Sequence, residues 1–201
     1  PQKWFVDVSD GAAGLAVLNE GITQYEVLED GDRTLALTLM RCFQMRNTVQ
    51  NIDYPDQGGS QCPGRHVYRY ALLPHAGDWD SAGVLPAAAR WICPPIICQI
   101  GGGEGPLPLA ASFLQVTPDD LAFSGVKPAE DGGGLIVRLY NPTRRVVRGE
   151  LRSRGAIAGA RQVRLDETDL RPVPVHNSRA VPLEARPGEV VTVRLRFEPE
   201  G

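Results

Sequence analysis

The sequence predicts a mainly β fold with one short helix, laid out as two successive antiparallel units. Three observations carry this. The 22 glycines and 17 prolines of the 201 residues fall at turn-like intervals, which favours many short strands. Between the turns, apolar and polar residues alternate with period two, as at Leu35, Leu37 and Leu39. One segment alone, Ser81 to Ile92, has helix-favouring content, in Ala87-Ala88-Ala89-Arg90.

The first unit opens with Lys3 to Val8, which alternates around Trp4, Val6 and Val8 and ends in the turn Ser9-Asp10-Gly11. Gly14 to Asn19 reads as a nearly continuous apolar strand, closed by Glu20-Gly21. Tyr25 to Leu28 leads into the hairpin-type turn Glu29-Asp30-Gly31-Asp32, and Arg33 to Arg41 returns as its alternating partner. From Phe43 to Arg65 periodicity fails in favour of Asn, Gln, Gly, Asp and Pro; a loop longer than about 15 residues between two strands points to function. His66 to Leu73 resumes as a strand. Pro74-His75-Ala76-Gly77-Asp78-Trp79-Asp80 then turns the chain into the predicted helix, with Asp80 or Ser81 as N-cap and Pro86 delaying or kinking its start.

Cys93 to Pro108 is a Pro/Gly-rich connector around Gly101-Gly102-Gly103, without the Lys-Ser/Thr of a phosphate loop, so no nucleotide site is expected. Seven alternating runs follow: 112–116, 121–127, 135–141, 145–151, 160–165, 180–183 and 190–197. Turns at Asp131-Gly132-Gly133, Asn141-Pro142 and Arg186-Pro187-Gly188 make them a compact antiparallel sandwich. The predicted division is 1–110 and 111–201.

Composition narrows the function. With 42% hydrophobic and 22% charged residues and a formal net charge of -3, there is no basic excess for phosphates, and nucleic acid is not an expected partner. No apolar run approaches the roughly 20 residues that cross a bilayer, and the first residues have no signal-peptide core, so the expected location is cytoplasmic with no membrane partner. Cys42, Cys62, Cys93 and Cys98 are then expected to be reduced thiols. Cys93 and Cys98 have the loosest zinc spacing but lack a second Cys or His pair nearby.

Four strings in order carry a resemblance: Phe5 to Gly21, Arg33 to Arg41, Tyr70-Ala71-Leu72-Leu73-Pro74-His75-Ala76-Gly77-Asp78-Trp79, and Val126-Lys127-Pro128-Ala129-Glu130-Asp131-Gly132-Gly133-Gly134 through Asn141-Pro142-Thr143. Together they resemble the carboxy-terminal part of glycoside hydrolase family 38, the α-mannosidases, over nearly the whole chain. The resemblance implies the end of a large antiparallel β-sandwich (a supersandwich, galactose-mutarotase-like), followed by a small one. It also implies an enzyme that hydrolyses α-mannosides with retention, through a glycosyl-aspartate and a zinc ion. In that family the nucleophile and zinc ligands lie in an amino-terminal catalytic domain, so no catalytic or metal residue is assigned here. The chain alone is expected to be inactive, its partners being that domain and the α-mannoside substrate. The one site residue the resemblance carries over is Arg41, at the edge of the substrate pocket.

The residues themselves leave bland and functional roles side by side. His75 with Asp78 would suit general acid/base work, and equally a turn in which Asp78 accepts backbone N–H groups. Asp78 and Asp80 lie too close in sequence to flank a sugar ring. Trp79, Tyr68, Tyr70 or Trp91 would stack on a sugar face, although burial is the commoner fate of a tryptophan between strand and helix. His75, Asp78 and Trp79 are read as a structural motif. Arg41 has a planar fork suited to sugar hydroxyls or a carboxylate. His176, in a loop, receives no role. Two function classes stand: an accessory region that completes and stabilises a mannosidase pocket, or a free-standing carbohydrate-binding β-sandwich without catalysis.

Overall fold

The computed structural model describes residues 2–43, 46, 47, 50, 52, 53, 58–103, 105 and 108–198. Its contacts divide the chain into an amino-terminal unit, Pro1–Cys98, and a carboxy-terminal unit, Gln99–Gly201. The division falls inside the Pro/Gly-rich connector, twelve residues before the position chosen from sequence.

The amino-terminal unit is built on a three-stranded antiparallel sheet, β1 (Phe5–Ser9), β2 (Ala13–Glu20) and β7 (Arg69–Ala76), with β2 in the middle. Register places Phe5 opposite Leu18 and Leu18 opposite Ala71, so one face carries Phe5, Leu18 and Ala71 with Ala16 and Leu73. On that face lies α1 (Val84–Ile92), whose Val84 and Ala88 are fully buried against Ala16 and Leu18. The opposite face holds Val6 and Val17, which are buried, and Leu15, Tyr70 and Leu72, which are 39%, 52% and 61% exposed. Asn19, wholly buried, is satisfied on both sides: its Nδ2 donates to Gln2 Oε1 (2.8 Å) and its Oδ1 accepts from Ile22 N (2.8 Å).

Three expectations for this unit need correction. The strand predicted over 33–41 shrinks to β4 (Leu35–Leu37), paired with β3 (Tyr25–Val27). Pairing ends at Thr38, whose N–H reaches Gln24 O (3.0 Å), and Leu39 and Met40 beyond it are about half exposed, so alternation there had no partner to sustain it. The strand predicted over 66–73 begins and ends three residues later, as β7. His66 folds back onto Cys62 O (2.8 Å), and Pro74 stays in the strand because β7 is an edge, where a missing N–H costs no ladder bond. The helix is capped by Gly83 in the left-handed region (φ 65°), not by Asp80 or Ser81, so Pro86 falls harmlessly in the first turn. Much of the loop expected over 43–65 lies outside the described residues; within it are β5 (Arg46–Asn47) paired with β6 (Ile52–Asp53), and a 3-10 turn at Gly58–Gln61.

The carboxy-terminal unit is a sandwich of two antiparallel sheets. One has five strands in the order β13 (Asp169–Val173), β12 (Ile157–Val163), β15 (Val190–Phe197), β10 (Leu135–Tyr140) and β9 (Ala122–Pro128). The other has three, β14 (Ala180–Ala185), β11 (Val147–Ser153) and β8 (Leu114–Thr117). Alternation sends Val137, Leu139, Val191, Val193 and Leu195 from the first sheet against Val116, Leu151, Val181 and Leu183 from the second, all buried. Gly149 is required at its place: an added Cβ would collide with the Thr117 carbonyl oxygen of β8. β13 was missed in the sequence because it is an exposed edge strand interrupted by Pro172, with no apolar alternation.

Candidate functional site

His75 and Asp78, three apart in sequence, do not meet. His75 points across the sheet, and its Nε2 lies 2.6 Å from Oδ1 of Asp7, with side chains only 5% and 6% exposed. The residue between them in the register is Gly14, opposite both Ser9 and His75; a Cβ there would run into the imidazole ring. The pair therefore fills the position a side chain on β2 would have occupied.

Asp78 instead organises the turn into α1. Ser81 N donates to Asp78 Oδ1 (2.8 Å) while Asp78 N donates to Ser81 Oγ (3.2 Å), a reciprocal lock resembling a capping box. Gly77, just before it, has φ 73°. Trp79 is half-buried, its ring 5.8 Å from that of Phe5, and packs on the core under α1. The three residues thus act separately: His75 ties strands together, Asp78 shapes a turn and Trp79 fills the core.

The other aromatics line a common groove. Tyr68, Tyr70 and Trp91 share an open groove of about 610 Å³ with Glu20, Arg69 and Arg90, floored by Ile92, Pro94 and Pro95. It arises where β2 ends and β7 begins, at the pair Glu20 and Arg69, beside the last turn of α1. Tyr68 is stacked on His66 at 6.3 Å, and Trp91 is 41% exposed. Aromatic faces beside arginine forks and a carboxylate make a surface able to stack on a sugar ring and hydrogen-bond its hydroxyls. The individual aromatics were recognisable in the sequence. Their meeting was not, because it depends on where the helix ends relative to the strand.

Arg41 does not line this groove. It is exposed, four residues past the end of β4 and next to Cys42. The residues present do not suit a zinc ion: Cys93 and Cys98 are both exposed, and no group of three or more His, Cys, Asp or Glu side chains that could hold a metal occurs among the described residues. Nor is any helix of the described residues long and apolar enough to cross a membrane.

In the carboxy-terminal unit the string from Val126 to Thr143 also resolves into structure. Lys127 Nζ contacts Glu130 and lies 2.6 Å from Oε1 of Glu167, whose Oε2 accepts from Glu130 N (2.9 Å). Arg194 bridges Asp131 (2.8 Å) and the Glu167 carbonyl (3.1 Å). The Lys127 ammonium, foremost, holds the Glu167 carboxyl below its ordinary range, and the Gly133 N–H does the same for Asp131. Asn141, fully buried, donates to the Arg145 and Ala185 carbonyls (both 2.9 Å) and accepts from Thr143 N (3.0 Å). His176 forms a tight bridge with Ala180.

Residues 120–193 match the model for the glycosyl hydrolases family 38 C-terminal beta sandwich domain. Over 193 residues, 96% of this chain and 20% of the other, the chain is 32% identical to the Halalkalibacterium halodurans protein named "Putative mannosylglycerate hydrolase". It is 29% identical over 142 residues to the Homo sapiens protein alpha-mannosidase 2C1, covering 69% of this chain and 12% of that one. The crystal structure of an alpha-mannosidase from Enterococcus faecalis V583 matches with a TM-score of 0.77 at 27% identity, over 98% of this chain and 21% of that one. The chain spans about one fifth or less of the length of these relatives. Fold and matches together define a β region similar to the carboxy-terminal part of glycoside hydrolases. Residues 120–193 are a family 38 C-terminal beta sandwich domain, and the chain as a whole is similar to the carboxy-terminal part of these relatives.

Proposed function

We propose that this region completes and stabilises the carbohydrate pocket of an α-mannosidase-like retaining glycoside hydrolase, with the amino-terminal catalytic domain of the same enzyme as its partner and an α-mannoside as substrate. Zinc and the nucleophile belong to that domain, and Arg41 contributes to the pocket edge. The observation that carries this reading is the partly uncovered apolar face of the amino-terminal unit, where Leu72, Tyr70 and Leu15 stand exposed beside the buried Val6 and Val17 while the helix side is packed. Large apolar side chains grouped on an exposed sheet face mark a surface for a further layer. The test is hydrolysis of an aryl α-mannoside by the purified chain: none is expected, and turnover would overturn the assignment. An apolar dye such as ANS should bind the chain, and its failure to bind would remove the supporting observation.

The groove of Tyr68, Tyr70 and Trp91 favours a second reading, a carbohydrate-binding sandwich that acts without catalysis. Calorimetric titration with mannose and manno-oligosaccharides separates the two. Heat that disappears in Trp91→Ala supports it, and no heat in the unaltered chain counts against it.

A further inference from the structure

We propose that Cys42 and Cys62 form a redox-active dithiol, a site that takes a low-molecular-weight disulfide of the glutathione class and is converted by it into an intrachain disulfide. The two are separated by the loop Phe43 to Gln61, yet the backbone folds them onto one turn. Phe43 N donates to Ser60 O (3.1 Å), and Gln61 Nε2 returns to Phe43 O (2.6 Å). This pairing seats Cys42 Sγ against the carbonyl of Gln61 (3.4 Å), the residue immediately before Cys62. Cys62 Sγ in turn reaches Gly59 O (3.7 Å), so both thiols rest on the carbonyls of the same 3-10 turn. Cys62 is held there in a left-handed conformation (φ 47°), its N–H on Gly59 O (3.2 Å) and its carbonyl on His66. A side chain in that conformation marks a turn fixed by its surroundings.

The sulfurs also sense each other. Local desolvation first, and the Cys62 thiol second, push the Cys42 thiol above its ordinary range. That makes Cys42 the natural second attacker, since the thiol that opens an exchange must already be partly thiolate. In the first step the Cys62 thiolate attacks one sulfur of the external disulfide, forming a mixed disulfide and expelling one thiolate. Cys42 then loses its proton and attacks the Cys62 sulfur, expelling the second thiolate. The protein dithiol is oxidised by two electrons, the external disulfide is reduced to two thiols, and the two cysteine protons end on the leaving groups. Neither sulfur is sealed away, Cys42 being exposed and Cys62 half-buried. The bond would close the loop at its neck, one residue after Arg41.

The experiment uses the intact chain. It is incubated with oxidised glutathione, its remaining thiols are alkylated, and the digest is mapped by mass spectrometry, in native buffer and in urea. The expected product is a Cys42-to-Cys62 linked peptide pair, short of two hydrogens, forming at least about tenfold faster in the native chain, because folding raises the effective concentration of one thiol at the other. Glutathione adducts without linkage, or linkage no faster than in urea, would overturn the proposal. In Cys42→Ser the product should stop as a glutathione adduct on Cys62, and the lack of that adduct would overturn it too. Because the native-against-urea comparison needs no variant, a poorly folded substitution leaves the test intact.

Discussion

The two units solve the same problem differently. The carboxy-terminal unit presses one sheet against another, and Leu139, Leu151, Leu195, Val137, Val181 and Val193 between them are almost wholly removed from solvent. The amino-terminal unit has a single three-stranded sheet with α1 on one side; its packed centre is Ala16, Leu18, Val84 and Ala88, and the far side shows Leu15, Tyr70 and Leu72 to solvent. A sheet must cover each face that is apolar. One unit supplies both layers from its own sequence, while the other leaves Leu15, Tyr70 and Leu72 exposed beside the buried Val6 and Val17. Self-sufficiency of fold and availability for partnership are therefore distributed between the halves.

The largest expected consequence is in folding alone. Produced separately, residues 99–201 should melt in one cooperative transition with a defined near-ultraviolet circular dichroism signal. Residues 1–98 should bind ANS and lack that cooperativity. A sharp melt of 1–98 without dye binding would show that its open face needs no cover, and the contrast between the units would fall.

Single side chains should reproduce the contrast on a smaller scale. Leu151→Ala removes a fully buried side chain packed between β8 and β14, at a cost of about 2–5 kcal/mol. Leu72→Ala, the same chemical change at a position 61% exposed, should alter stability by less than about 0.5 kcal/mol. Urea denaturation of the intact chain measures both. Equal losses would mean that Leu72 is covered in solution.

How much of this the sequence disclosed follows the same division. In the carboxy-terminal unit alternation is read off directly, because β10 and β15 lie between two partners and each side chain has one buried alternative. Only β13 escaped, an exposed edge with Pro172. In the amino-terminal unit alternation held at Leu35 and Leu37, which lie in β4, and misled at Leu39, which lies past the last paired residue and is about half exposed. The site was legible as residue types and not as geometry. His75 looked paired with Asp78 by spacing, yet it reaches Asp7 across Gly14, a partner 68 residues away that no local pattern announces. The strings that revealed the family are largely corners: the Asp78 to Ser81 lock, the Asn141 to Thr143 turn and the Lys127 to Glu167 cluster.

That cluster gives the closed unit a pH signature. Glu167 and Asp131 have folded values below their ordinary 4.5 and 3.8, so their contribution is fully present above those values and is lost as pH falls through the depressed ones. Lys127, raised above 10.5, contributes fully below that pH and loses its share as pH rises beyond it. Glu167→Gln should accordingly lower the melting temperature at pH 7, with the difference from the unaltered chain shrinking as both are acidified below about pH 4. A gap that stays constant with pH would mean that Glu167 acts through packing and not through its charge.

The smallest effect on stability is expected at Arg41, and that is what makes it informative. The residue lies beyond the paired part of its hairpin, with its side chain exposed, so Arg41→Ala should shift the urea midpoint by less than about 0.5 kcal/mol. Any change in an enzyme that carries this region must then come from substrate contact and not from folding. A guanidinium hydrogen-bonded to sugar hydroxyls is worth about 1.5–3 kcal/mol, so kcat/KM for an aryl α-mannoside should fall about 10- to 100-fold in Arg41→Ala. Arg41→Lys should recover little of it, because an ammonium keeps the charge but loses the planar fork. An unchanged kcat/KM in Arg41→Ala would remove Arg41 from the pocket and leave the open face of the amino-terminal unit with a purely structural role.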